Sequence, residues 1–158
     1  MKKLFYLFLL LPVLAGCDKT TSGNTDVIDT NVTNVGFTDT GCNGSGFTKS
    51  ETNPSLLTLK FEGGNLRVTH TNAVMNCSIK NGGIACEVSS EGTTILYNVY
   101  EKDGPTANCC CTVNEITSLV KGLTPGVKYT MKYRYYEPFT FVFERGLHLI
   151  IDVDSLKY

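Results

Sequence analysis

Apolar and polar residues alternate with a period of two over most of the chain from Leu56 to the C-terminus. Such alternation is typical of half-buried β-strands, because successive side chains point to opposite faces of a sheet. Turn residues separate the runs, and no long stretch has the period of an amphipathic helix. The pattern predicts about eight strands over residues 55–158, and a single antiparallel β-sandwich is the natural packing for so many short strands.

Two turn signals, Asn81-Gly82 and Glu91-Gly92, predict a meander of three antiparallel strands in the middle of this domain. The first turn places Cys77 opposite Cys86, at a pair where the side chains of neighbouring strands lie closest. We therefore expect a cross-strand Cys77–Cys86 disulfide. The alternatives are two buried thiols, or a bond from one of them to the triplet Cys109–Cys111.

The second turn sets the register of the other two strands of the meander. It places Val88 opposite Ile95 and Cys86 opposite Tyr97. Both turns assign the apolar side chains to one face and the polar ones to the other, which supports the predicted register.

The N-terminus has the pattern of an export signal. Lys2-Lys3 precedes a mainly apolar run, Leu4–Ala15, which is shorter than the ~20 residues that span a bilayer. The run ends in Leu14-Ala15-Gly16-Cys17, which resembles the lipobox of bacterial lipoproteins. The resemblance implies a signal peptide over residues 1–16, lipidation of Cys17 and a membrane anchor made of acyl chains such as palmitate. The alternative is an ordinary cleaved signal.

Residues 17–54 are rich in Thr, Asn and Gly and show no apolar period. Such a composition cannot bury enough apolar surface to offset the entropy of ordering. We expect a flexible tether that follows the lipidated Cys17. The alternative is that the apolar residues Val27-Ile28, Val32, Val35 and Phe37 add a strand to the edge of the domain.

A short segment near residue 125 resembles the fibronectin type III and immunoglobulin-like sandwiches. Those domains carry a G-L-x-P-G-x-x-Y segment, and this chain matches it at Gly122, Leu123, Pro125, Gly126 and Tyr129. The resemblance implies a tyrosine corner, in which the Tyr129 hydroxyl bonds to backbone upstream. The chain has no Trp, so the Cys-Trp-Cys core of antibody domains is absent.

The layout as a whole is similar to small uncharacterised envelope lipoproteins of gram-negative bacteria. The matching features are His70-Thr71-Asn72, Asn76-Cys77 and the cluster Cys109–Cys111. The resemblance implies a location in the cell envelope, at the outer membrane, with the membrane face left open. It implies no known activity.

The chain has seven cysteines, and lipidation of Cys17 would leave an even number for disulfides. The triplet allows three interpretations. It contributes structural disulfides with one cysteine left over, or it forms a strained redox-active disulfide, or it binds a metal together with Cys42 and His70. The spacing of the triplet does not match zinc knuckles. The disulfide candidates are Cys42, Cys77, Cys86, Cys109, Cys110 and Cys111.

Charge and motifs narrow the function. Fifteen acidic residues balance fourteen basic ones without a basic block, which argues against a nucleic-acid partner. No motif of a known catalytic, metal or cofactor site occurs. We expect an anchored, non-enzymatic binding module without a cofactor, whose partner is another envelope protein or a glycan. The candidate binding patch is Lys132, Arg134 and Tyr136.

Two enzymatic or redox alternatives remain. One is a redox or metal-handling envelope protein that uses Cys109–Cys111. The other is a small hydrolase with His70 or the pair Asp152 and Asp154 as its base, although no nucleophile motif supports it.

Overall fold

The computed structural model describes residues 31–43, 53–79, 82–104 and 108–157. These residues form ten β-strands in two sheets, followed by one short 3₁₀ helix, Val153–Leu156. The all-β sandwich predicted from the alternation is confirmed. The strands are β1 Thr33–Asp39, β2 Cys42–Asn43, β3 Leu56–Glu62, β4 Asn65–Asn76, β5 Ile84–Glu91, β6 Thr94–Glu101, β7 Cys110–Lys121, β8 Lys128–Tyr133, β9 Phe139–Val142 and β10 His148–Asp152.

The first sheet has the strand order β1-β7-β4-β3-β10, and β2 also pairs with β7. All its pairs are antiparallel. The second sheet has the order β5-β6-β8-β9, in which β6 and β8 run parallel. The prediction of a purely antiparallel sandwich is therefore wrong at this one pair. One hydrophobic core joins the inward faces of both sheets.

The N-terminal part of the domain lies inside the range predicted as a tether. Strand β1 pairs with β7 from Thr33 opposite Lys121 to Asp39 opposite Ile116, and Val32 is buried in the core. The prediction of a flexible segment is wrong for residues 33–43, and the domain begins before residue 55. The alternative of an added edge strand is the one that the structure bears out there. Residues 17–30 lie outside the described residues.

Gly122 allows the N-terminal segment to pass close to the start of the G-L-x-P-G-x-x-Y segment. Its φ is +93°, and a Cβ atom there would lie 2.5 Å from the carbonyl oxygen of Asn31. Only glycine fits both the left-handed backbone and this close approach. At the other end of the segment, the Thr124 backbone N–H donates to the Tyr129 hydroxyl at 2.9 Å, a hydrogen bond of the kind that the resemblance implied.

The predicted meander is wrong in its first half. Strand β4 pairs with β3 and β7 in the first sheet, whereas β5 belongs to the second sheet, so the chain crosses between sheets where a hairpin was expected. In the second half β5 does pair with β6, but Val88 lies opposite Tyr97 and Cys86 opposite Val99. The observed pairing is shifted by two residues along β6 relative to the prediction. The same side chains still share the apolar face, because the side-chain period of a strand is two.

Candidate functional site

A turn at the end of β8 carries a half-buried arginine and an exposed tyrosine. The strand ends at Tyr133, and the backbone N–H of Tyr136 donates to the Tyr133 carbonyl oxygen at 3.0 Å. Arg134 has a φ of 49°, a left-handed conformation that costs a side-chain-bearing residue about 1–2 kcal/mol. Tyr135 is 60% exposed and Tyr136 only 8% exposed. The expectation of an exposed Tyr136 is wrong, because the turn breaks the alternation and presents Tyr135 instead.

Contacts on both sides hold the Arg134 side chain in place. Its Nη1 donates to the Val74 carbonyl at 3.4 Å and to the Met75 sulfur at 3.3 Å. Its guanidinium carbon lies 5.1 Å from the ring centroid of Tyr135, in cation–π contact. Among the described residues, neither salt bridge of the structure involves Arg134. A side-chain hydrogen bond with Tyr133 adds to these contacts, so the guanidinium is held in place from several sides.

A shallow cavity of about 370 Å³, widely open to solvent, lies beside this turn. Residues of β6, a residue after it and the turn itself line the cavity: Asn98, Val99, Tyr100, Glu101, Gly104, Arg134 and Tyr135. The first sheet supports the β6 side of the cavity, because the backbone N–H of Asn76 on β4 donates to Glu101 Oε1 at 2.8 Å. The Tyr100 hydroxyl donates to Glu87 Oε1 at 2.6 Å, and this hydrogen bond raises the pKa of Tyr100.

Of the three residues in the predicted binding patch, only Arg134 lines the cavity. Lys132 is exposed on β8 but does not contribute to the lining, and the buried Tyr136 packs against Tyr133 and Tyr135. The sequence reasoning missed Tyr135, Asn98 and Glu101. Pro138 was a signal that β8 ends early, because proline is disfavoured inside a sheet.

Two disulfides join the cysteines in a pattern that differs from the main prediction. Cys42 bonds to Cys111, and Cys77 bonds to Cys109. The predicted Cys77–Cys86 disulfide is wrong, because those residues belong to opposite halves of the sandwich. The alternative in which the triplet supplies two bridges and leaves one cysteine over matches the structure.

Two cysteines within the described residues are free. Cys110 is exposed, and Cys86 is half-buried with its pKa raised mainly by burial. The metal site proposed for Cys42, Cys109 and Cys111 is excluded in this state, since all three form disulfides. Among the residues that the structure describes, no group of three or more His, Cys, Asp or Glu side chains could hold a metal ion.

His70 lies in the core between two hydroxyl groups. Its Nε2 is 2.7 Å from Ser55 Oγ and its Nδ1 is 2.6 Å from the Tyr133 hydroxyl, which belongs to the other sheet. Burial lowers the pKa of His70 to about 4; the charge of Arg134 also lowers it, and Asp154 opposes both. The contact with Ser55 has the form of a nucleophile–base pair. However, so low a pKa makes His70 a poor base at neutral pH.

The two aspartates considered as an alternative base have structural roles. Asp152 Oδ1 accepts the N–H of Asp154 at the start of the 3₁₀ helix, at 3.0 Å. Asp154 forms a salt bridge with Lys157. Both are exposed at the surface, and neither lines the cavity.

The chain matches no protein-family model, no curated protein and no solved structure. The predicted signal peptide and Cys17 lie outside the described residues. Within the part that the structure describes, no helix is long and apolar enough to cross a membrane.

Proposed function

We propose that this chain is a lipid-anchored, non-enzymatic binding module of the bacterial cell envelope, which contacts its ligand at the cavity beside Arg134 and Tyr135. The observation that carries the proposal is that two groups lie together at this open cavity. One is the Arg134 guanidinium, which is held in place and forms no salt bridge among the described residues, and the other is the exposed ring of Tyr135. Arginine and tyrosine are the residue types most enriched at energetically important contacts.

The anchor comes from the sequence. The lipobox-like Leu14-Ala15-Gly16-Cys17 supplies a site for acyl chains, and stable membrane attachment needs more than one chain. Residues 18–30 separate that cysteine from the first described residue. The domain is therefore attached to the membrane by its N-terminal side, close to the edge strand β1.

Site-specific photocrosslinking in cells tests this function. A photoreactive residue replaces Tyr135 in the full chain, and the same residue replaces Ile150 as a control. Ile150 is exposed to a similar extent, 54%, but lies on β10 at the far edge of the first sheet. We expect a discrete adduct at position 135 and none at 150, and incorporation of a labelled fatty acid into the full chain that Cys17→Ala abolishes. Equal adducts at both positions, or fatty-acid labelling that persists in Cys17→Ala, would contradict the proposal.

A redox function is the second candidate, and the exposed free thiol of Cys110 is the observation that favours it. Cys110 lies between two disulfide-bonded cysteines, so thiol–disulfide exchange could move either bridge without an outside oxidant. Mass mapping of alkylated peptides before and after exposure to a glutathione redox buffer tests this. Exchange of Cys77 or Cys42 onto Cys110, abolished by Cys110→Ser, supports a redox role. An unchanged bridge pattern excludes it.

A further inference from the structure

We propose that the cavity binds the carboxylate of an acidic sugar unit, such as a uronic acid, with Arg134 as the residue that recognises the charge. This inference rests on the proposed binding function and names the class of its ligand. Three features of the described residues support it: the state of the guanidinium, the backbone that presents it, and the chemistry of the lining.

The guanidinium of Arg134 is prepared for an anion. One nitrogen is held by the Val74 carbonyl and the Met75 sulfur, and the group packs on Tyr135. Within the described residues, no carboxylate forms a salt bridge with it, although Glu101 lines the same cavity. A guanidinium has five N–H donors, more than the contacts to Val74, Met75 and Tyr133 engage. A planar guanidinium matches a carboxylate in a bidentate geometry, which makes such pairs strong and specific.

The backbone at Arg134 is in an unfavourable conformation for its residue type. A φ of 49° suits glycine or asparagine, yet the chain has arginine there, next to an exposed tyrosine. Unfavourable backbone conformations of this kind cluster at ligand-binding sites, where the surrounding structure maintains them. The conformation points to a function for this side chain beyond the fold.

The remaining lining groups fit the hydroxyl groups of a sugar. Asn98 offers an amide, and the Tyr100 oxygen can accept a hydrogen bond while its hydroxyl donates to Glu87. Glu101 offers a carboxylate, of which Oε1 accepts the Asn76 N–H. The volume of about 370 Å³ is at the lower end of the range for small-molecule sites, roughly 300–1,000 Å³.

A charged sugar also agrees with the absence of tryptophan from the chain. Neutral glycans depend strongly on stacking against large aromatic rings, whereas a carboxylate supplies a charge-assisted contact in its place. Tyr135 then offers the ligand only part of its ring, because the ring of Tyr136 packs against it at a centroid distance of 4.7 Å.

The test measures binding of trigalacturonate to the purified full chain in detergent, by NMR saturation transfer, with its methyl ester as the uncharged probe. We expect saturable binding of the acid, at least about tenfold weaker binding of the ester, and a loss of at least about tenfold with Arg134→Gln. Lys132→Gln is the matched control, because it removes an equal charge from an exposed residue outside the cavity lining and should leave binding unchanged.

Asn98→Ala provides a second variant that leaves Arg134 and its strained turn intact. It should weaken binding severalfold through the loss of hydroxyl contacts. Equal binding of acid and ester, or equal losses with Arg134→Gln and Lys132→Gln, would overturn the assignment of a carboxylate. A crosslink at position 135 in cells together with no binding of trigalacturonate would refute the acidic sugar and leave the proposed binding function standing.

Discussion

The two sheets of the sandwich differ in how they are held together. The first sheet contains the two longest strands, β4 and β7, and both disulfides join residues of this sheet or of the segments that flank those strands. The second sheet has no disulfide among its described residues, and Cys86 on β5 is free. Yet the second sheet carries the cavity, with β6 and the turn after β8 as its wall.

This difference separates scaffold from site. The disulfides fix the end of β4, where Met75 lies opposite Cys111 and Asn76 opposite Cys110. The same stretch of β4 contacts Arg134 and Glu101 from behind. The covalently fixed sheet thus positions two side chains of the other sheet without contributing to the cavity lining itself.

Removal of the disulfides should have the largest effect on stability, because they hold the first sheet as the scaffold. The Cys42–Cys111 and Cys77–Cys109 bridges span 69 and 32 residues of sequence, so loop-closure entropy predicts losses of about 4 kcal/mol each, slightly more for the longer loop. Paired serine variants are compared by urea unfolding. Cys86→Ser serves as the control and should cost about 1 kcal/mol or less. Equal stability of the bridged and unbridged chains would contradict the scaffold role.

Acid should weaken the contact between the sheets through His70. Its unfolded pKa is about 6.5 and its folded pKa about 4, so the unfolded state binds more protons between these values. The contribution of neutral His70 to the free energy of unfolding is fully present above about pH 6.5. It decreases as the pH falls to about 4, and the free energy of unfolding is then about 3 kcal/mol lower.

The measurement is the free energy of unfolding against pH for wild type and His70→Gln. The variant should lose this part of the pH dependence, and His148→Gln, which changes an exposed histidine, should keep it. Parallel profiles for wild type and His70→Gln would show that His70 does not couple folding to protonation.

Gly122→Ala tests how closely the N-terminal segment is joined to the first sheet. The new methyl group would meet the Asn31 carbonyl, and the φ of +93° would be strained. Gly126→Ala is the matched control, because its φ is +82° but a Cβ atom there meets nothing within 4 Å. We expect Gly122→Ala to lose about 2 kcal/mol more stability than Gly126→Ala in thermal unfolding. Equal losses would place residue 31 away from Gly122.

Arg134→Gly should have the smallest net effect on stability, because two contributions oppose each other. Glycine relieves the left-handed strain, but the variant loses the contacts to Val74, Met75 and Tyr135, so the free energy of unfolding should change by no more than about 1 kcal/mol. Binding at the cavity should be lost in the same variant. A chain that becomes less stable by more than about 1 kcal/mol would show that Arg134 serves the fold and not the site.

Local patterns predicted much of the strand content. Alternating residues such as Leu57, Leu59, Tyr129 and Met131 face the core as expected, because a half-buried strand must repeat every second residue. Strand β1 was predicted only as the alternative to a flexible tether, because an edge strand gains its stability from hydrogen bonds to β7 and needs few apolar residues of its own.

Pairing between distant segments could not be predicted in the same way. Asn81-Gly82 is a strong local turn signal, but which sheet each neighbouring strand joins depends on partners far along the chain. The disulfides followed that topology. The left-handed turn at Arg134 exposes Tyr135, although Tyr135 continues the alternation of the buried residues Tyr129, Met131 and Tyr133. The anchor at Cys17 remains a prediction from the sequence.

The most direct test of the account is the comparison of photocrosslinking at positions 135 and 150 in the anchored chain, repeated with Arg134→Gln. The account predicts a discrete adduct at 135 alone, which disappears when the guanidinium is replaced. An adduct at 135 that is indifferent to Arg134→Gln, or one that forms equally at 150, would contradict the claim that this cavity is the binding site.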